Sequence, residues 1–150
     1  MELSVKIEGL DNFKKMTSGM QSLVIKEMAG ALKASGEKVR GEAIQSILGG
    51  GKTGKLYKRG GKFHTASAAG EAPANDSGRL AGSIHTVKSG NEALIIAGRG
   101  QVKYARMLEY GTKNMAERPF MYPALEKSKA WIIKRLNDAV VRAARKSIGK

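Results

Sequence analysis

Met16, Met20, Val24, Met28 and Leu32 recur every fourth residue, and after one shift of three the stripe continues through Ser35, Val39, Ala43 and Ile47. Residues three and four apart share one face of an α-helix. The spacing predicts a helix from Asn12 to about Ile47, roughly 55 Å long at 1.5 Å per residue. Few small folds can house such an element. Its apolar face is narrow, so it is expected to pack against a neighbouring subunit as well as its own sheet. Gly30, Gly36 and Gly41 each weaken the helix by about 1 kcal/mol relative to Ala. A bend or break is therefore expected near Gly30–Gly36.

Shorter patterns flank this helix. Leu3 to Glu8 alternates apolar and polar residues, as a half-buried strand does. Gly9 stops it, and Asp11 is placed to cap the helix that follows. Ser83–Val87 and Ala93–Ala97, joined by Ser89-Gly90-Asn91, read as a β-hairpin. The second strand is continuously apolar, so it is expected at the sheet centre. Asp76 or Ser77 is positioned to cap a helical turn over Gly78–Gly82. Tyr104–Tyr110 reads as a two-turn helix stopped by a left-handed Gly111. An extended run then leads to Pro119, and Pro123 is expected to open the last helix. Leu125, Ile132, Leu136, Ala139, Val140 and Ala143 give that helix its stripe, and Gly149 ends it. The whole is one α+β domain over residues 1–150: a small, mainly antiparallel sheet with a long N-terminal helix and a C-terminal helix.

Between the first helix and the hairpin lies a compositional outlier. Residues 49–75 are rich in Gly, Ala and Ser and carry Lys52, Lys55, Lys58, Arg59 and Lys62, with no acid before Glu71. No period persists, so a flexible basic loop is expected. The interleaved Tyr57 and Phe63 add stacking surfaces to the phosphate-seeking cations. Contact with DNA and docking of a partner protein are the two roles this composition suits. The chain as a whole has 27 basic and 13 acidic residues, a net charge of +14, which favours a polyanionic partner. From Lys127 onward there are eight cations against Asp138, a second basic surface.

No catalytic set emerges. The absence of Cys excludes disulfides, thiolate metal sites and a Cys nucleophile. Gly49-Gly50-Gly51-Lys52-Thr53 superficially suggests a phosphate loop, but that motif needs Gly where Ser46 stands, a strand before it and a helix after it. His64 and His85 lack metal-ligand spacing. Glu109 and Arg118 read as an ion pair rather than an acid–base couple. The expectation is a non-enzymatic protein with no catalytic residue, cofactor or metal. No apolar run approaches the ~20 residues of a membrane span, and the first residues carry no apolar leader core. A cytoplasmically made protein without a membrane partner is expected.

Three stretches carry a resemblance. The first is Ser67-Ala68-Ala69-Gly70-Glu71-Ala72-Pro73 with Asp76-Ser77-Gly78-Arg79-Leu80-Ala81-Gly82-Ser83-Ile84. The second is Tyr104-Ala105 with Leu108-Glu109-Tyr110-Gly111-Thr112. The third is Arg118-Pro119-Phe120-Met121 with Pro123-Ala124-Leu125. In order and spacing they resemble the head–tail joining (neck or tail-completion) proteins of long-tailed bacteriophages. Ala116-Glu117 and Ala69 depart from the family, which often has Pro-Ala and Pro there. The resemblance implies a structural virion protein, assembled in the host cytoplasm, that forms a ring around the DNA channel. Its partners would be the head-completion or connector protein and the tail tube or tail terminator. Six copies match a six-fold tail and are favoured; twelve would match the portal. Within that frame Lys52, Lys55, Lys58, Arg59 and Lys62 are candidates for touching DNA in the lumen or a partner. Tyr104, Glu109, Gly111, Arg118, Pro119, Phe120 and Pro123 are expected to brace the fold, with Phe120, Leu125 and Leu108 as core anchors. The alternative is a free basic nucleic-acid-binding protein.

Overall fold

A computed structural model describes residues 1–6, 18–98, 100 and 102–148. The expectations for Ile7–Glu8, Gly9, Asp11, the helical start at 12–17 and Gly149 lie outside these residues. In chain order the elements are β1 (Glu2–Lys6), α1 (Ser18–Leu48), β2 (Leu56–Arg59), β3 (Lys62–Thr65), α2 (Arg79–Gly82), β4 (His85–Ser89), β5 (Glu92–Ile96), α3 (Ala105–Tyr110) and α4 (Met121–Ile148). The α+β architecture with long first and last helices is as the sequence predicts.

The main sheet has the order β1-β5-β4 and is antiparallel throughout. The continuously apolar strand β5 is central, as expected. Its Ala93 and Ile95 are fully buried and sit opposite Val5 and Leu3 of β1. Those residues face α1, because side chains alternate between the two faces of a strand.

The long helix α1 is one unbroken run of 31 residues, so the expected break is not present. Gly36 has a different use. A Cβ there would lie 2.5 Å from Thr86 Cγ2 and 3.2 Å from Ala93 Cβ. The missing side chain lets the helix axis approach the sheet closely. Gly30 and Gly41 are exposed on the helix, with nothing near a hypothetical Cβ.

Helix α4 runs antiparallel to α1, and ion pairs mark both ends of the contact. Near the start of α1, Glu27 takes Arg142 Nε at 3.1 Å and Lys146 Nζ at 2.6 Å. Near its end, Glu42 takes Lys127 at 2.6 Å and Lys38 at 2.7 Å. Both carboxyls are held below the usual carboxylate range, chiefly by hydrogen bonds from Lys146 and Lys127 respectively. The main core gathers Val39, Ala43 and Ile47 of α1 with Ile84, Ile95, Phe120 and Met121. A second, purely helical cluster joins Val24, Met28 and Ala31 to Ala139 and Ala143. The helix α1 is thus lined on two sides, by sheet and by α4.

Local signals need four corrections. The turn α2 has Gly78 at its N-cap and no side-chain cap; Asn75 Oδ1 accepts the Gly78 N–H at 3.0 Å, while Asp76 is engaged elsewhere. Gly111 has positive φ (71°) but an extended ψ (−177°), so it redirects the chain rather than adding a left-handed cap. Beyond it the chain is not simply extended: Thr112 and Met115 close a tight bridge. Pro123 is the third residue of α4, which starts at Met121; it still falls in the first turn, where an N–H has no intrahelical acceptor.

Candidate functional site

The segments that carry the resemblance meet in one place. Arg118 donates from Nε to Ser67 O at 3.2 Å and from Nη1 to Ala116 O at 3.2 Å. Its backbone N–H donates to Leu108 O at 2.7 Å, and the Gly70 N–H donates to Glu117 O at 2.9 Å. Glu109, buried at 4% exposure, accepts the N–H groups of Phe120, Met121 and Tyr122 at 2.8–3.0 Å. A carboxylate at a helix N-terminus satisfies orphan donors and complements the helix dipole. Glu109 and Arg118 therefore do not pair with each other. Each ties a different stretch to backbone, and together they fix α3, the 67–71 segment and the start of α4. Phe120 is fully buried, and Leu108 and Leu125 pack against the same core. Tyr104 does not belong to this bracing set: it is 41% exposed.

The basic stretch expected as a flexible loop contains an antiparallel hairpin. Leu56 pairs with Thr65, Tyr57 with His64, Lys58 with Phe63 and Arg59 with Lys62. The Gly60-Gly61 turn has φ of 56° and 81°, the positive values that two-residue hairpin turns require. Charge on both faces hides the strand period. The missed signal is the Gly-Gly pair between two four-residue runs that each hold an aromatic.

Pairing sorts the side chains onto two faces. On one lie Tyr57, His64, Arg59 and Lys62, with the Tyr57 and His64 rings stacked 5.7 Å apart. On the other lie Leu56, Lys58, Phe63 and Thr65, with Lys58 Nζ 5.8 Å from the Phe63 ring centre. Phe63 is 69% exposed. The five cations do not form one patch. Lys52 turns back to the end of α1, donating to Ser46 O at 2.9 Å. Arg59 pairs with Asp76, whose other oxygen lies 3.7 Å from His64 Nδ1. Lys55, Lys58 and Lys62 are exposed.

Two carboxylates moor this arm. Asp76 holds its outer half. Glu71 holds its base, accepting Thr53 Oγ1 at 2.5 Å, Thr53 N–H at 3.1 Å and Ala68 N–H at 2.8 Å. The Thr53 hydroxyl first, then the two amides, lower the Glu71 carboxyl to about 2.

Under the arm lies a cleft of about 580 Å³. Ile47, Leu80 and Val102 form its apolar floor, Tyr57 and Tyr104 stand at its walls, and Arg59, Arg79 and Arg118 reach it. Among the described residues no group of three His, Asp or Glu could hold a metal ion, and no helix is long and apolar enough to cross a membrane. No family model, curated protein or solved structure matches this chain.

Proposed function

We propose that the chain is a structural ring subunit of a phage neck, joining the head connector to the tail tube around the DNA channel. One observation carries this reading. The three stretches that resemble the neck family converge through Arg118, Glu109 and the 67–71 segment into a single brace at the start of α4. Residues conspicuous in sequence thus have a shared structural task, as expected of a scaffold rather than an enzyme. The outer strands β1 and β4 each pair on one side only among the described residues, and such edges call for a covering neighbour. Six copies is the favoured ring, and twelve the alternative. Immunogold electron microscopy of phage particles, with mass measurement of the assembled protein, tests the proposal. Label at the head–tail junction supports it; absence from virions together with a chain that stays monomeric overturns it.

The exposed hairpin favours a second reading, a free nucleic-acid-binding protein. Lys55, Lys58 and Lys62 stand beside the exposed rings of Tyr57 and Phe63. Titration with duplex and single-stranded DNA across salt separates the two. Tight binding with a steep salt slope promotes the second reading, and weak binding even at low salt removes it.

A further inference from the structure

We propose that the cleft beneath the hairpin arm seats an acidic, apolar-studded peptide segment of a different protein, with Asp76 occupying the place of one of its carboxylates. The proposal does not depend on the neck reading: it concerns what the cleft recognises, wherever the protein works.

The size suits a short extended segment, since ligand clefts commonly measure about 300–1,000 Å³. The lining has two parts. The floor of Ile47, Leu80 and Val102 is apolar and offers a place for an aliphatic side chain. The rim cations are all arginines, Arg59, Arg79 and Arg118, whereas the arm's exposed lysines are not among the lining residues. A guanidinium fork grips a carboxylate with two parallel hydrogen bonds, which a lysine cannot do. Tyr57 and Tyr104, 38% and 41% exposed, add the rigid amphipathic surface that is common at the centre of protein interfaces.

Charge selects the occupant. Among the described lining residues Asp76 is the one carboxylate, and it already sits on Arg59. Arg79 has no hydrogen-bond or ion-pair partner among the described residues, so one lining guanidinium is open while Arg59 and Arg118 are engaged. A second copy of this chain is a poor match. It brings the same net charge of +14, and most of its 13 carboxylates are engaged internally, including Glu27, Glu42, Glu71, Asp76 and Glu109. Arginine forks grip phosphate as well as carboxylate, so it is the apolar floor of Ile47, Leu80 and Val102 that favours an acidic peptide over a nucleic-acid strand.

The test uses the full chain and fluorescence anisotropy with three labelled probes of equal length: an alternating Leu-Asp peptide, its Leu-Asn counterpart and oligo-dT. The Leu-Asp peptide should bind at least about tenfold more tightly than Leu-Asn, one tenfold step being about 1.4 kcal/mol. Arg79→Gln and Tyr104→Ser should each weaken it several-fold while thermal melting stays unchanged. Replacing Lys55, Lys58 and Lys62 by Gln should weaken oligo-dT and leave the peptide bound. Equal binding of both peptides, indifference to Arg79→Gln, or oligo-dT competing with the peptide for the cleft overturns the proposal. The last outcome would make the cleft a nucleic-acid seat.

Discussion

Glu109 reaches across eleven residues to take the backbone N–H of Phe120 at 2.8 Å, and the same carboxylate also holds the amides of Met121 and Tyr122. The last helix is thus capped by a side chain from the helix before it.

Removing that cap leaves two buried amide donors and one part-buried donor without their acceptor. Glu109→Ala should lower stability by about 3 kcal/mol, since charge-assisted bonds contribute roughly 1.5–3 kcal/mol and unsatisfied donors add cost. Glu109→Gln keeps an acceptor oxygen but loses the charge, so its loss should be smaller. Urea denaturation of the three proteins checks the order wild type, Gln, Ala. Equal stability of Ala and wild type would refute the cap.

The three glycines of α1 should respond differently to alanine. Gly36→Ala gains helix propensity but drives a methyl into Thr86 and Ala93, an overpacking that costs about 1–3 kcal/mol. Adding Thr86→Ser, which removes the opposing Cγ2, should restore part of the loss. Gly30→Ala and Gly41→Ala meet nothing within 4 Å and should each stabilise by about 0.5–1 kcal/mol. Thermal melting distinguishes the two classes.

The mooring at Glu71 should be sensitive to acid. Its folded value, about 2, lies below the ordinary carboxylate value of 4.5. A depressed carboxylate stabilises the structure above its unfolded value and loses that contribution as pH falls through the folded one. Hydrogen exchange at the Thr53 and Ala68 amides should therefore accelerate, relative to the intrinsic rate, between about pH 4.5 and 2. In Glu71→Gln these amides should already be less protected at neutral pH, and the acid step should vanish. A step that persists in the variant would assign it to another carboxylate.

Any DNA binding should run through the hairpin lysines. Serine at Lys55, Lys58 and Lys62 should reduce the magnitude of the slope of log affinity against log salt by up to about 2–3, as each phosphate contact contributes roughly 0.7–0.9. The same change at Lys52, whose ammonium is turned onto Ser46 O, should alter the slope less. An unchanged slope for the triple variant would place the contact elsewhere, with the basic face of α4 the next surface to test.

Periodic elements were readable from the sequence because burial writes itself into spacing. The stripe of α1 and α4 and the unbroken apolar run of β5 each reflect a neighbour packed alongside. Hairpin β4–β5 lies within a residue or two of its expected bounds. What was not readable depends on partners distant in the chain. Asp76 has the local look of a helix cap, yet its partners are Arg59 and His64. Glu109 and Arg118 look like opposite charges in want of each other, yet both find backbone groups instead. Strands β2 and β3 bury no residue, so no hydrophobic alternation announces them. The candidate cleft is harder still, because its floor comes from α1, α2 and residue 102 while its rim comes from the arm, Arg79 of α2 and residue 118.

The body of this molecule and its arm are fastened by different physics. Apolar contact around α1 holds the body, and those contacts yield to heat and urea. The arm presents eight strand residues of which only His64 is even half-buried, and it is tied down by Glu71 and Asp76. The hydrogen bonds at Glu71 yield to acid, and the Arg59–Asp76 pair weakens in salt. Acid and salt are therefore expected to loosen the arm before they loosen the apolar packing around α1.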